Sequence, residues 1–407
     1  EALRDDQLPD GAYPDFAPSP FLLGEPSPGW MDAGIIVPHI IYTMYADVRL
    51  LRRHYISMKK YMTYLEGRSE GFLLEGPMEA YGDWNGLDRR TSKVVIATAF
   101  FAWDARLMSE MARAIGEEDD AVYYASLFEK VRRAFTEAYV SPQGRIRSDT
   151  QTVYALALSM GLLDEALAAA AASRLAELVV SDGWRLTTGY IGTRFILQAL
   201  TDSGKPEMAL RLLLNRGFPS WGFMLDNGAT TLWEKWDAYA PGGGMPDPRN
   251  TSFNHYALGS VGDWLYAGLA GIQPAEPGFR AITIRPTVFA HGIQHVRAEY
   301  LSVRGVIVSG WTVAEQTLRM KISIPPNTSA SLHLPADKAA GVREVGVGAQ
   351  DGKGVALTWP EPGRVVVKVG SGDYEFETTL PEEILRKTIP REPDTNGAGK
   401  GREAPWL

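Results

Sequence analysis

"SKVVIATAFFAWDARLMSEMARAIG", residues 92 to 116, decides the fold class. Apolar side chains return at three- and four-residue spacing along the whole stretch, and Gly116 stands where a left-handed stop belongs. The pattern is one long amphipathic helix. "DDAVYYASLFEKVRRAFTEAYV" (119–140) follows at once and repeats it, so it is the antiparallel partner. Upstream, "IIVPHIIYTMYADVRLLRRHYISMKKYMTYL" (35–65) reads as two helices broken near Arg53 to Ile56. Downstream, "SDTQTVYALALSMGLL" opens with Ser148 and Asp149 as capping candidates. "LDEALAAAAASRLAELVV", "IGTRFILQALTDSG", "PEMALRLLLNRG" and "FNHYALGSVGDWLYAGL" continue the series to residue 269. Short turns alternate with longer Gly/Pro/Trp-rich loops. That rhythm suits stacked helix pairs, closed as a toroid or left open as a solenoid. No fixed-period repeat is visible, which weighs against a tetratricopeptide-like array.

After Pro274 the texture changes. "FRAITIRP", "QHVRAEYLSVRGVIVSGWTV", "QTLRMKISIP", "SASLHLP", "VALTWPE" and "RVVVKVGSGDYEFET" are short, β-branched and alternating, with turn residues between them. They read as an antiparallel β-sandwich of roughly a hundred residues. The expected division is a mostly α domain over 1–273, a C-terminal β-sandwich over 274–380 and a charged, Pro/Gly-rich tail over 381–407, mobile beyond Arg391. Packing against the helices is the default role for the sandwich. "SGW" (309–311) and Trp359 are its only hints of sugar binding.

Bulk properties exclude several functions. A net charge of −8 over 407 residues argues against nucleic acid or an anionic membrane as main partner. No apolar run approaches the ~20 residues that span a bilayer. The start "EALRDDQLPDG" has no basic region and no apolar core, so it is no signal peptide. Zero cysteines rule out disulfides and thiolate chemistry. Location is undetermined on these grounds, with the cytoplasm favoured.

Four loops carry chemistry. "GPMEAYGDWNGLD" (76–88) offers Asp83 beside Trp84, then Asp88; Asp83 reads equally as a cap of the next helix. "GEPSPGWMDAG" (24–34) offers Trp30 and Asp32, again readable as a buried indole and an N-cap. "GWRLTTGYIGTRF" (183–195) supplies the Thr187, Thr188 and Tyr190 hydroxyls. "ATTLWEKWDAYAPGGGMPDPRNTSFNHY" sets Glu234 between Trp233 and Trp236, with His255 beyond a Gly/Pro stretch. Singly, each has a structural explanation: a solvated acid, or a helix-start histidine satisfied by backbone. Together, four inter-helix loops each bring an aromatic with an acid or a hydroxyl. In a helical toroid alternate loops gather at one end, giving one aromatic-walled, acidic pocket suited to sugar hydrolysis. No G-x-S-x-G elbow, metal-ligand spacing, P-loop or dinucleotide fingerprint competes, so neither metal nor cofactor is expected.

The same segments resemble the bacterial α-L-rhamnosidases of glycoside hydrolase family 78. The resemblance rests on "LPDGAYPDFAP", "GWMDAGIIVPHIIY", "YGDWNGLD" before "IATAFFAWDARLMSEMA", "LTTGYIGT", "GATTLWEKWD", "SFNHYALGSVGDWLY" and "PGFRAITIRP", in that order, up to about residue 378. It implies an (α/α)6-barrel followed by a β-sandwich, and inverting hydrolysis of terminal α-L-rhamnose from a glycoside or oligosaccharide. Inversion needs an acid and a base roughly 6.5–9.5 Å apart. By resemblance Glu234 is the general base and His255 helps hold substrate. Trp30 and Trp84 pack against the sugar ring and its methyl group, a preference worth about 1–3 kcal/mol. Asp32, Asp83, Trp233 and Trp236 follow as hydroxyl ligands and shapers of the pocket.

The family's general acid lies in an Asp-Glu-Arg-Leu-Gly-Trp-like stretch ahead of the equivalent of "LPDGAYPDFAP", which the ten residues before Gly11 do not contain. The expectation is therefore an N-terminally truncated barrel with doubtful activity by itself, since losing general acid catalysis costs roughly 10²–10⁴-fold. Its uncovered helix faces imply self-association or complementation by a missing N-terminal part. The alternatives are a non-catalytic rhamnose-binding fragment and another (α/α)6 sugar hydrolase or phosphorylase. For a phosphorylase, Lys235, Arg249 and Arg194 are the candidate anion ligands.

Overall fold

The computed structural model describes residues 1–19, 27–74, 81–239, 251–337, 341–345, 356–361 and 363–389. Arg249, in the Gly/Pro stretch, and the tail beyond Arg391 lie outside the described residues. The helices are α1 (Ala2–Asp5), α2 (Ala33–Tyr45), α3 (Val48–Arg68), α4 (Lys93–Ile115), α5 (Glu118–Tyr139), α6 (Gln151–Ser159), α7 (Glu165–Ser181), α8 (Tyr190–Asp202), α9 (Pro206–Leu214) and α10 (Trp221–Asp226). A 3-10 turn (Ala257–Ser260), the short α11 (Val261–Asp263) and a π-helical turn (Trp264–Leu269) complete the helical part.

Two layers of paired helices result. α4 and α6 bury most of their residues, because their small and apolar side chains face neighbours on nearly every side. α5 and α7 bury one stripe and turn charged residues outward. α2, α4, α6, α8 and the π-helical turn touch in sequence as the inner row, and α3, α5, α7 and α9 back them. Inner-to-outer connections are short: Ala46–Asp47, Gly116–Glu117, Met160–Asp164 and Ser203–Lys205. Outer-to-inner connections are long and all emerge at the opposite end of the barrel. Among the described residues no helix is long and apolar enough to cross a membrane.

Two local expectations are corrected. The break expected near Arg53 to Ile56 falls at Ala46 and Asp47. Ala46 is left-handed (φ 56°) and ends α2, and the Asp47 carboxylate accepts the N–H groups of Arg49 and Leu50 to start α3. Ser148 and Asp149 do not cap α6; both have positive φ, and Thr150 occupies the N-cap. Asp149 instead accepts the Tyr154 hydroxyl at 2.6 Å and the Arg174 guanidinium at 2.6 and 3.0 Å.

The strands are β1 (Ile272–Pro274), β2 (Ala281–Ile284), β3 (His295–Ser302), β4 (Gly305–Ala314), β5 (Thr317–Ile324), β6 (Ser329–Pro335), β7 (Val342–Glu344), β8 (Ala356–Glu361), β9 (Arg364–Val369) and β10 (Gly372–Thr379). They form two five-stranded sheets, ordered β1-β2-β6-β9-β8 and β3-β4-β5-β10-β7. One pairing, β2 with β6, is parallel, because the chain crosses to the second sheet for β3–β5 before returning. Trp311 is not a sugar platform: it is buried, and its indole N–H donates to the Leu269 carbonyl at 3.0 Å. Ser309 likewise donates to the Ala270 carbonyl at 2.7 Å, so β4 is fastened to the end of the barrel chain. A final short helix, α12 (Glu382–Arg386), follows β10.

α2 is apolar almost throughout, yet only Gly34, Ile35 and Pro38 are fully buried, and Val37, Ile40 and Tyr45 are exposed. Its contact with the N-terminal segment is close. A Cβ on Gly34 would stand 2.1 Å from the ring of Tyr13, which is buried and bonded to Ser57. Gly34→Ala should therefore destabilise the fold by about 1–3 kcal/mol, measured by urea denaturation. Gly67→Ala on α3, where a Cβ meets nothing within 4 Å, serves as the neutral control.

The Asp149 carboxyl is held down to about 2, first by its hydrogen bond to Arg174. A depressed folded pKa gives stability that is present above the unfolded value near 4 and lost as pH falls toward 2. Thermal melts of wild type and Asp149→Asn should differ by a constant amount near neutral pH and converge toward pH 2.

Candidate active site

The long loops meet at the N-terminal ends of α2, α4, α6 and α8. The decisive contact is the Asp83 carboxylate. It accepts the backbone N–H groups of Gly189 (2.8 Å), Ile191 (2.9 Å) and Gly192 (3.1 Å), together with the Thr152 hydroxyl. These N–H groups are the unpaired donors of the first turn of α8, where the helix dipole also favours an anion. Burial pushes the Asp83 carboxyl above the usual range, and its four donors pull it back toward the ionised form. Asp83 does not cap the helix that follows it in sequence, and its acceptor sites are filled by the chain rather than turned to a ligand. Gly189 is fitted to this weld: a Cβ there would lie 2.2 Å from the Trp84 carbonyl oxygen.

The weld fixes Trp84, which is 44% exposed. Tyr190 N–H donates to the Trp84 carbonyl at 3.0 Å, and Asn85 donates to the Tyr190 hydroxyl at 3.1 Å. Tyr81 bridges the two candidate tryptophans, with ring centroids 4.8 Å from Trp30 and 5.3 Å from Trp84. A continuous wall of Trp30, Tyr81 and Trp84 results, and the cavity of about 320 Å³ beside it is lined by Tyr81, Trp84, Asn85, Asp88, Arg89 and Lys93 but, among the described residues, by neither Glu234 nor His255. A larger hollow of about 520 Å³ lies at the short-turn end beside Asp47, Arg49 and Arg53. No Trp, Tyr or Phe lines it, and it is remote from all these groups.

Tyr190 connects this wall to Glu234 and His255. Residues 232–234 pair with 252–255: Glu234 N–H donates to the Ser252 carbonyl (2.9 Å) and His255 N–H to the Leu232 carbonyl (2.8 Å). Ser252 N–H donates back to Glu234 Oε2 at 2.7 Å, so backbone aims the half-buried carboxylate. The Tyr190 hydroxyl lies within hydrogen-bonding reach of it. Burial raises the Tyr190 phenol and the Glu234 charge raises it further, so Tyr190 stays a neutral donor. The His255 ring lies 5.1 Å from that of Tyr190 and stacks on Tyr256 at 4.9 Å. Its Nδ1 accepts the Ala257 N–H at 3.2 Å, which leaves the neutral ring with its proton on Nε2, a hydrogen-bond donor.

Trp233 and Trp236, expected among the hydroxyl ligands and shapers of the pocket, lie beneath it. Both are buried. Trp233 packs among Phe223, Tyr239 and Phe253, and Trp236 packs edge-on against Trp221 and donates to the Thr188 carbonyl at 2.9 Å. They anchor the Glu234 loop from below. Asp32 is also buried: it accepts the Gly29 N–H at 2.5 Å and the Tyr61 hydroxyl, and so shapes the Trp30 turn from within.

A family described as bacterial alpha-L-rhamnosidase 6 hairpin glycosidase domain matches residues 1–269, and the bacterial alpha-L-rhamnosidase C-terminal domain matches 271–349. The chain belongs to the bacterial α-L-rhamnosidase family. It is 42% identical over 374 residues to an α-L-rhamnosidase of Streptomyces avermitilis, covering 92% of this chain and 35% of that protein. An α-L-rhamnosidase of Formosa agariphila is 31% identical, covering 93% of this chain and 41% of the relative. The solved structure of the Streptomyces avermitilis enzyme complexed with L-rhamnose superposes with a TM-score of 0.86 at 41% identity, over 93% of this chain and 36% of that one. The chain thus spans well under half the length of these rhamnosidases. The (α/α) barrel followed by a β-sandwich is their fold.

Within this rhamnosidase framework the sequence left several groups unmarked. Tyr81, Asn85, Ser252 and Tyr256 were not separable from other loop residues, since only the folded contacts show that they touch Trp84, Tyr190, Glu234 and His255. The aromatic density of the loops was the one signal available.

Asp83→Ala should leave several α8 donors unpaired. The expected result is destabilisation by about 1–3 kcal/mol and faster amide exchange at Gly189, Ile191 and Gly192. Asp83→Asn, which keeps one acceptor oxygen, should fall between the two.

Proposed function

We propose that this chain carries the base half of an inverting α-L-rhamnoside hydrolysis site, with Glu234 as general base. The observation that carries the reading is the placement of Glu234. It is half-buried, aimed by Ser252 N–H and Tyr190, and linked through the Tyr190 hydroxyl to Asn85, next to Trp84. In this role the carboxylate takes a proton from water as the water attacks the anomeric carbon. Tyr190 and Ser252 N–H hold the carboxylate in place for that proton transfer. His255 Nε2–H donates to a sugar hydroxyl. Trp30 and Trp84 present flat apolar faces to the ring and its methyl group, as does Tyr81 between them. Asp32 and Asp83 are assigned to the frame and not to the sugar, because backbone and hydroxyl donors already fill them. The rhamnose-bound relative from Streptomyces avermitilis supports the choice of sugar.

Rhamnosyl fluoride tests the base half directly, because fluoride departs without a proton donor. The chain should hydrolyse the fluoride, and Glu234→Gln should slow this by roughly 10²–10⁴-fold while L-rhamnose still quenches tryptophan fluorescence. Trp84→Ala should weaken that quenching. A chain inert to the fluoride and spectroscopically silent with L-rhamnose would sink the proposal.

A further inference from the structure

α4 carries an acid in the middle of an inner barrel helix. Asp104 is fully buried, and neither of its oxygens receives an N–H or O–H from the described residues. The group in hydrogen-bonding contact with it is another carboxyl, that of Asp32, which is 1% exposed. Asp32 has its own donors, Gly29 N–H on Oδ2 and the Tyr61 hydroxyl on Oδ1. Among the described residues, the titratable groups that act on the pair are Tyr13 from the N-terminal segment, Tyr61 from α3, and Asp15, which feels Asp32. Arg4 acts on Tyr13 and is itself paired with Asp5.

Two touching carboxyls in such surroundings cannot both be ionised, because each would lose its hydration and repel the other at low dielectric. Burial, and then the Asp32 charge, push the Asp104 carboxyl well above the usual range. The roles divide by environment: Asp32 already accepts two donors, and Asp104, which has none, is the one that keeps a proton. A neutral Asp104 turns an otherwise unmatched pair of acceptors into one short donor–acceptor bond.

We propose that Asp104 is a neutral carboxylic acid that donates its proton to Asp32, and that this bridge from α4 positions the turn carrying Trp30. Asp32 closes that turn through Gly29 N–H, while Trp30 and Met31 N–H both donate to the Ser27 carbonyl. Asp104 is a positioning residue: it acts on the sugar site through Asp32 and touches no substrate. The Trp30 part rests on the reading of Trp30 as a wall of the rhamnose site; the proton bridge does not.

Infrared difference spectra of the whole chain against Asp104→Asn test the bridge. A carbonyl stretch of a protonated carboxylic acid, shifted in D2O, should be present in wild type at pH 7 and vanish in the variant. Its absence from wild type overturns the bridge. L-rhamnose binding, read by tryptophan fluorescence, tests the positioning. Asp104→Asn still offers an N–H to Asp32 and should bind within about threefold of wild type, whereas Asp104→Leu offers none and should bind roughly tenfold more weakly. Asn binding as poorly as Leu, or Leu binding as well as wild type, overturns the positioning. Circular dichroism separates a misfolded Leu variant, in which case the Asn comparison decides. A wild-type chain that does not bind L-rhamnose sinks the sugar-site reading and the Trp30 part with it, and the infrared band still decides the bridge.

Discussion

The Asp83 carboxylate at the N-terminus of α8 is the constraint on which the rest of the site depends. One side chain gathers three backbone donors and a hydroxyl, and in doing so joins the α3–α4 loop to the α7–α8 loop and to α6. Trp84 and Tyr190 take their positions from that junction. Trp236 ties the Glu234 loop to Thr188, two residues from Tyr190, so the base is referenced to the same point. The groups proposed to handle sugar are thus held on loops, but those loops are braced by a helix terminus and buried indoles.

Environment separates acids that look alike in sequence. Asp83, Asp32 and Glu234 each sit beside a tryptophan or close to one, and each matched a family motif. Asp83 has donors on both oxygens and serves as a fixed anion at a helix end. Asp32 has two donors and a second carboxyl against it. Glu234 has one backbone donor and a phenol, and it stays half-buried at the mouth. The number and direction of donors, not residue type, divides frame from chemistry.

Much of this was legible beforehand, for identifiable reasons. Helix periodicity gave the α4–α5 hairpin because both helices are long and strongly patterned, and strand alternation gave the sandwich. The break between α2 and α3 was misplaced because Ala46 adopts a left-handed conformation that its residue type does not advertise; Arg53 to Ile56 simply continue the helix. The aromatic loops were visible as a group, yet Trp233 and Trp236 turned inward while Tyr81 and Tyr256 turned outward. Loop sequences carry no periodicity, so side-chain direction cannot be read from them. The parallel β2–β6 pair was hidden for a related reason: which strands pair depends on chain crossings, not on local pattern.

The unequal connections at the two ends of the barrel also shape how the molecule comes together. Each short turn joins an inner helix to the outer helix behind it, so those pairs are close in sequence and can form with little loss of chain entropy. The mouth is different, because its groups come from opposite ends of the helical sequence, Trp30 near one and His255 near the other, and are assembled only when the inner row is complete. Its wall and its base have no partner to hold them in an isolated hairpin. The binding surface is consequently a late product of folding, and a chain caught partway would have sound helix pairs but nowhere for a sugar to sit.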